Sequence, residues 1–174
     1  LDAIPFLSLT KSMLGSLDSM HIRHGAALMM VQGVYDLNGT EEEVSIGMKM
    51  HQKKHVKRNK KEYKRLSEHI GLLPIIVVAP GDAAIISGGS DERRRLMDIV
   101  ISQYDPEYMN ALSAYNKALQ QRNAMLKAEE EPPQDVMEVF EQMMAENGEQ
   151  IYRKRQEFVE EFIPVFQRFY TLIS

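Results

Sequence analysis

The apolar residues of this chain change their period at Pro80, and no other feature limits the fold as strongly. Before it they alternate. Val44, Ile46, Met48 and Met50 share one face of a short stretch, the pattern of a half-buried strand. After it they recur at steps of three and four. Tyr108, Leu112, Tyr115, Leu119, Arg122 and Leu126 mark one face of a long helix, and Val136, Phe140, Met143, Ile151, Phe158, Phe162, Phe166 and Tyr170 mark a second. Pro164 lies inside the second and removes a backbone donor, so a kink is expected there. The polar break from Glu129 to Gln134, with its Pro132-Pro133 pair, predicts that the two helices fold back antiparallel. The chain is therefore read as α+β, with a β-rich part over residues 1–80 and a helical arm over residues 81–174.

Local signals fill in the β-rich part. Leu1 to Leu7 is apolar without a preceding cap and reads as the body of a helix. A strand over Ala26–Leu37 ends in the turn dipeptide Asn38-Gly39 and forms a hairpin with Val44–Met50. A third strand over Lys54–Arg58 turns at Asn59-Lys60, and the short connections predict antiparallel pairing. Tyr63 to Ile70 reads as one or two helical turns ending at Gly71. The run Pro74 to Pro80, wholly apolar between two prolines, reads as a buried strand. Ser90 is expected to cap a helix from Asp91 to about Gln103. Asp105-Pro106 opens the next, with an Asp cap and Pro at the first helical position.

Composition excludes several classes. There is no cysteine, which rules out disulfides and thiolate metal sites. No apolar run is long enough to span a bilayer, and a soluble, cytoplasmic protein is expected. The net charge of −4 conceals a strong asymmetry: Lys49 to Arg65 holds nine Lys or Arg against the single acid Glu62, giving +8 there and −12 elsewhere. Such a local field attracts phosphate backbones. Lys49, Lys53, Lys54, Lys57, Arg58, Lys60, Lys61, Lys64 and Arg65 are thus candidate DNA contacts, and a solvated hairpin is the competing reading. His51 and His55 have cationic neighbours and no carboxylate close in sequence, so no metal site is assigned. Arg93-Arg94-Arg95 lies on the first turns of a helix, where successive residues point about 100° apart. At most two of them face one ligand. Arg93 and Arg94 join the DNA candidates, and one of the three is expected to pair with Asp91, Glu92 or Asp98.

Three stretches carry a resemblance to a known family. They are Leu1-Asp2-Ala3-Ile4 through Ser12, Gly71-Leu72-Leu73-Pro74 through Asp82 with Gly88 to Asp98, and Asp105-Pro106-Glu107-Tyr108 through Lys127. Together they resemble RecF, a family of ABC/SMC-type DNA-repair ATPases. The resemblance implies part of an ABC-type ATPase head: the antiparallel β-rich part of lobe I, then a lobe II arm with two long antiparallel helices. It further implies an internal piece of a longer parent, lacking the Walker A loop before Leu1 and the Walker B strand after Ser174. Departures are Gly81 where an acid precedes Asp82, Ser90-Asp91 where Ser-Pro-Glu is common, and Met13-Leu14 where many relatives have Phe-Arg.

What the resemblance implies for function goes further. The parent would bind ATP and Mg, dimerise head to head under ATP, and recognise DNA at single-strand/double-strand junctions. It would act with RecO and RecR to load RecA at gaps. Asp82, at the lobe junction, is the candidate for sensing the nucleotide's metal or γ-phosphate, with a simple turn residue as the competing reading. Ile86-Ser87-Gly88-Gly89-Ser90 looks like an ABC signature but is read as a glycine turn capping the next helix. No catalytic residue is assigned, and the chain alone is expected not to hydrolyse ATP. The alternative function is a structural protein-interaction module whose helical arm binds a partner without touching DNA.

Overall fold

The computed structural model describes residues 2–13, 17–130 and 132–173, so Leu1, Leu14, Glu131 and Ser174 of the readings above lie outside the described residues. The chain forms two compact units, Leu1–Ala79 and Pro80–Ser174.

The first unit opens with helix α1 (Ala3–Leu9), which Thr10 ends in the left-handed region at φ 56°. Four strands follow, β1 (Leu28–Leu37), β2 (Thr40–Lys49), β3 (His55–Arg58) and β4 (Lys61–Glu62). They pair antiparallel in sequence order. Both hairpin turns have two residues with positive φ, as the right-handed strand twist favours. Asn38 (55°) and Gly39 (81°) make the first, and Asn59 (50°) and Lys60 (66°) the second. Asp36 Oδ1 accepts from the Gly39 amide at 2.7 Å and fixes the first turn.

Alternation on β2 places Val44, Ile46 and Met48 inward, at 0–5% exposure. Met50 lies past the strand end and is exposed. The core joins Val44, Ile46 and Val56 to Phe6 and Leu7 of α1 and to Leu73. Gly33 leaves room for the Tyr35 ring and the Leu7 side chain, because a Cβ there would sit 2.9 Å from Tyr35 Cε2 and 3.0 Å from Leu7 Cδ1. The helical turn expected after Tyr63 is a single 3-10 turn, Leu66–Glu68. The fully buried His69 follows it, its Nε2 donating to the Leu7 carbonyl at 2.6 Å.

Burial holds the His69 imidazole below its ordinary pKa, against a smaller upward pull from the Leu7 carbonyl. The folded state therefore keeps the ring neutral, while the unfolded chain protonates it near pH ~6.5. Stability contributed here is present above that value and is lost as pH falls from it towards the folded pKa. The urea midpoint of the chain is expected to drop between neutrality and mild acid, and His69→Gln should flatten that slope.

The strand reading of residues 74–80 is corrected. Residues 74–79 join no strand ladder among the described residues; Ile76 and Val78 are 74% and 86% exposed. The four strands pair only with their sequence neighbours, and Pro74 and Pro80, which bound this run, have no amide hydrogen to donate to a ladder. Apolarity predicts burial, but it cannot supply the neighbouring strand.

The second unit begins with a 3-10 turn (Pro80–Ala83) and the short α2 (Ala84–Ser87), then α3 (Ser90–Tyr104), α4 (Pro106–Leu126) and α5 (Gln134–Tyr170). Gly89, not Ser90, takes the N-cap of α3. Asp105 caps α4 as expected, accepting from the Tyr108 amide at 3.0 Å. The helix α5 runs through Pro164. Pairing of Arg122 with Glu141 and of Asp105 with Lys154 sets α4 antiparallel to α5. Their seam buries Tyr108, Ala111, Ala118 and Ile151. No helix is long and apolar enough to cross a membrane among the described residues.

Candidate nucleic-acid interface

The cation-rich segment folds as the end of β2, the loop after it, β3, the tight turn, β4 and the strand exit. Pairing of Val44 with Arg58, and of Lys57 with Glu62, brings residues distant in sequence into one surface. Lys49, Lys53, Lys57, Lys60, Lys61, Lys64 and Arg65 are exposed, and their side chains form no ion pair among the described residues. Lysine at these positions presents hydrated point charges, suited to phosphate oxygens without a fixed geometry.

Two of the nine cations have internal work. Arg58 forks onto Glu42, Nε to Oε2 at 2.8 Å and Nη2 to Oε1 at 2.6 Å, and Asn59 Nδ2 adds a third bond to Glu42 at 2.7 Å. The guanidinium and the Asn59 amide hold the Glu42 carboxyl below its usual range, and the carboxylate holds Arg58 above its own. Lys54 Nζ donates to the Thr10 carbonyl at 2.5 Å and sits 5.6 Å from the Phe6 ring centre. Both side chains tie the sheet together or to α1. The sequence reading missed Glu42 and Thr10 as their partners, because only the strand register brings them near. It also missed a carboxylate for His55, whose Nδ1 lies 2.6 Å from Glu62 Oε1. That pair is isolated, and no group of three metal-ligating side chains occurs among the described residues.

The second unit holds the remaining candidates. Arg93 Nη1 donates to the carbonyls of Ile85 and Gly88 at 3.2 and 3.3 Å, satisfying the end of α2. Arg94 pairs with Asp91 one turn earlier. Gly88 has no room for a Cβ, which would lie 2.5 Å from the Ala84 carbonyl oxygen. The glycine pair thus serves the turn between α2 and α3. Asp82 sits half-buried in the 3-10 turn that opens this unit. The residues present do not make an ATP cradle: the chain has no Gly-rich loop ending in Lys-Ser or Lys-Thr.

No family model matches the chain. Curated relatives do. The chain is 55% identical over 175 aligned residues to the DNA replication and repair protein RecF of Phocaeicola vulgatus, covering 100% of the chain and 47% of that protein. It is 54% identical, with the same coverage, to RecF of Bacteroides fragilis. It is 46% identical to RecF of Porphyromonas gingivalis, over 100% of the chain and 48% of that protein. The chain thus spans about half the length of the curated relatives it matches. Among solved structures, the recombination mediator protein RecF-ATP in the RecFOR pathway superposes with a TM-score of 0.82 and 31% identity, over 91% of this chain and 43% of that one. Sheet, helical arm and sequence agree across these matches, and the chain belongs to the RecF family, as an α+β part of its ABC-type ATPase head.

Proposed function

We propose that this chain supplies the DNA-backbone contact of a DNA replication and repair protein, through the lysines of β2, β3, β4 and their loops. The observation that carries this reading is the strip of seven exposed cations without ion-pair partners among the described residues, from Lys49 to Arg65. A second feature supports it: Lys60 is held at φ 66°, a conformation that glycine adopts far more cheaply. The name of the relatives, DNA replication and repair protein, agrees with such a partner.

In this reading the intact protein binds ATP with Mg, dimerises under ATP, engages single-strand/double-strand junctions, and works with RecO and RecR to load RecA. Residues 1–80 are assigned to lobe I and 81–174 to the lobe II arm. Asp82 is assigned to the nucleotide's metal or its attacking water. Asp82→Asn in the full-length protein is expected to lower ATP turnover while leaving DNA affinity unchanged. Arg93 is left out of the interface, since α2 and the following turn use its guanidinium.

The test is DNA binding by the full-length protein with four of the exposed lysines reversed in charge. Loss of affinity that grows at low salt supports the reading, and unchanged binding refutes it. A second reading, a protein-binding helical arm, is favoured by the row Phe158, Phe162, Phe166 and Tyr170 on α5, whose last three rings are 45–57% exposed. It would be upheld if the lysine variant bound DNA normally while substitutions along that row abolished repair.

A further inference from the structure

The loop between β2 and β3 borders a half-open pocket of about 570 Å³. Lys49, Lys53, Lys54 and Lys64 line it, and Met48 and Tyr63 give it an apolar floor. Its walls are braced from two sides. Lys54 reaches the Thr10 carbonyl at the end of α1, and His55 is bonded to Glu62, the one acid in the lining. Lys49, Lys53 and Lys64 are left with no ion-pair partner among the described residues.

We infer that this cavity is a phosphomonoester pocket, which takes a terminal phosphate with part of its nucleotide rather than an internal backbone phosphate. The proposal rests on the DNA reading above and narrows it. A backbone running over a surface presents phosphodiesters of single charge. A phosphomonoester carries about −1.5 to −2 charge at neutral pH and three acceptor oxygens, which suits one concave site lined by Lys49, Lys53 and Lys64. The apolar floor suits the sugar and the face of a base, which a bare anion site would not need. The volume lies in the range of small-ligand sites, roughly 300–1,000 Å³. Lysine in place of arginine fits a tapered dianion better than a planar carboxylate, which arginine would fork. Glu62 of the pocket lining pairs with Lys57 in the β3–β4 register, so a strand end held in the pocket would continue toward the cations of β3 and β4.

The chemistry has two sources, a DNA strand end and a free nucleotide. The experiment uses the full-length protein and one duplex prepared with 5′-phosphate, 3′-phosphate or hydroxyl ends, with thymidine 5′-monophosphate as competitor. The wild type is expected to bind one phosphate-ended duplex roughly tenfold more tightly than the hydroxyl-ended one, as charge-assisted bonds to a dianion would give. Lys49→Gln/Lys53→Gln/Lys64→Gln should abolish that preference. Lys57→Gln/Lys60→Gln/Lys61→Gln, with the same charge change outside the pocket, should weaken all duplexes and keep it. Competition by the mononucleotide at matching concentrations identifies a free-nucleotide site, and its failure to compete identifies a strand-end site. Equal wild-type affinity for phosphate and hydroxyl ends, with no mononucleotide binding, overturns the pocket. If the outer triple variant still weakens DNA binding in that case, the backbone reading stands without it; if neither variant changes binding, both fall.

Discussion

Arg155→Met is expected to destabilise the helical unit by about 2–3 kcal/mol, the largest loss from any single polar change in that unit. Arg155 stands on α5 and forks onto Asp98 of α3, with bonds of 2.7 and 2.9 Å from Nη2 and 2.9 Å from Nε. Its Nε also lies 3.0 Å from the Tyr108 hydroxyl of α4, which itself donates to Asp98. One guanidinium thus ties three helices at a point where the phenol is fully buried and the charged side chains are 22–23% exposed. Removing it leaves a carboxylate in a largely dehydrated site. Breaking a fully buried pair costs about 3–5 kcal/mol, and the residual exposure places this one lower. Urea unfolding followed by helical circular dichroism checks the figure. Removing the carboxylate as well, with Asp98→Leu, should restore part of the stability, because the penalty lies mainly in the orphaned charge. A double variant as unstable as the sum of the singles would contradict this.

The second large effect is electrostatic. Lys53→Glu/Lys57→Glu/Lys60→Glu/Lys61→Glu in the full-length protein is expected to lower DNA affinity at least about a hundredfold near 0.1 M salt. The slope of log affinity against log salt should become shallower by roughly 0.9 for each phosphate that the protein no longer neutralises. Lys54 and Arg58 are left intact on purpose. Lys54 holds α1 through Thr10, and Arg58 holds β2 through Glu42, so reversing either would damage the sheet and imitate a binding defect. Fluorescence anisotropy across a salt series separates the two effects, since misfolding lowers the active fraction without changing the slope.

That distinction marks where the sequence stops being informative. The run of cations was legible as charge, but charge does not reveal which members are already spent. Glu42 lies sixteen residues before Arg58, and only the β2–β3 register puts them together. Arg93 looked like a surface cation until the end of α2 turned back beneath it. Elements set by local chemistry were readable at the first hairpin turn and the start of α4, while the cap of α3 fell on Gly89 and not on Ser90. Asn38-Gly39 dictates a hairpin, and Asp105-Pro106 dictates a helix start. The α4 seam was partly missed, because Ala111 and Ala118 carry little hydrophobic signal yet are the small residues at which α5 comes close. Residues 74–79 show the opposite failure: a strong apolar signal whose fate depends on a neighbouring strand that local composition does not specify.

Amide hydrogen exchange of the full-length protein with and without saturating duplex DNA tests the central claim most directly. Slower exchange confined to residues 49–65, with α4 and α5 unchanged, is the result expected if the β2–β4 surface grips the backbone. Identical exchange over 49–65 in both states, or protection appearing only along α5, would contradict it.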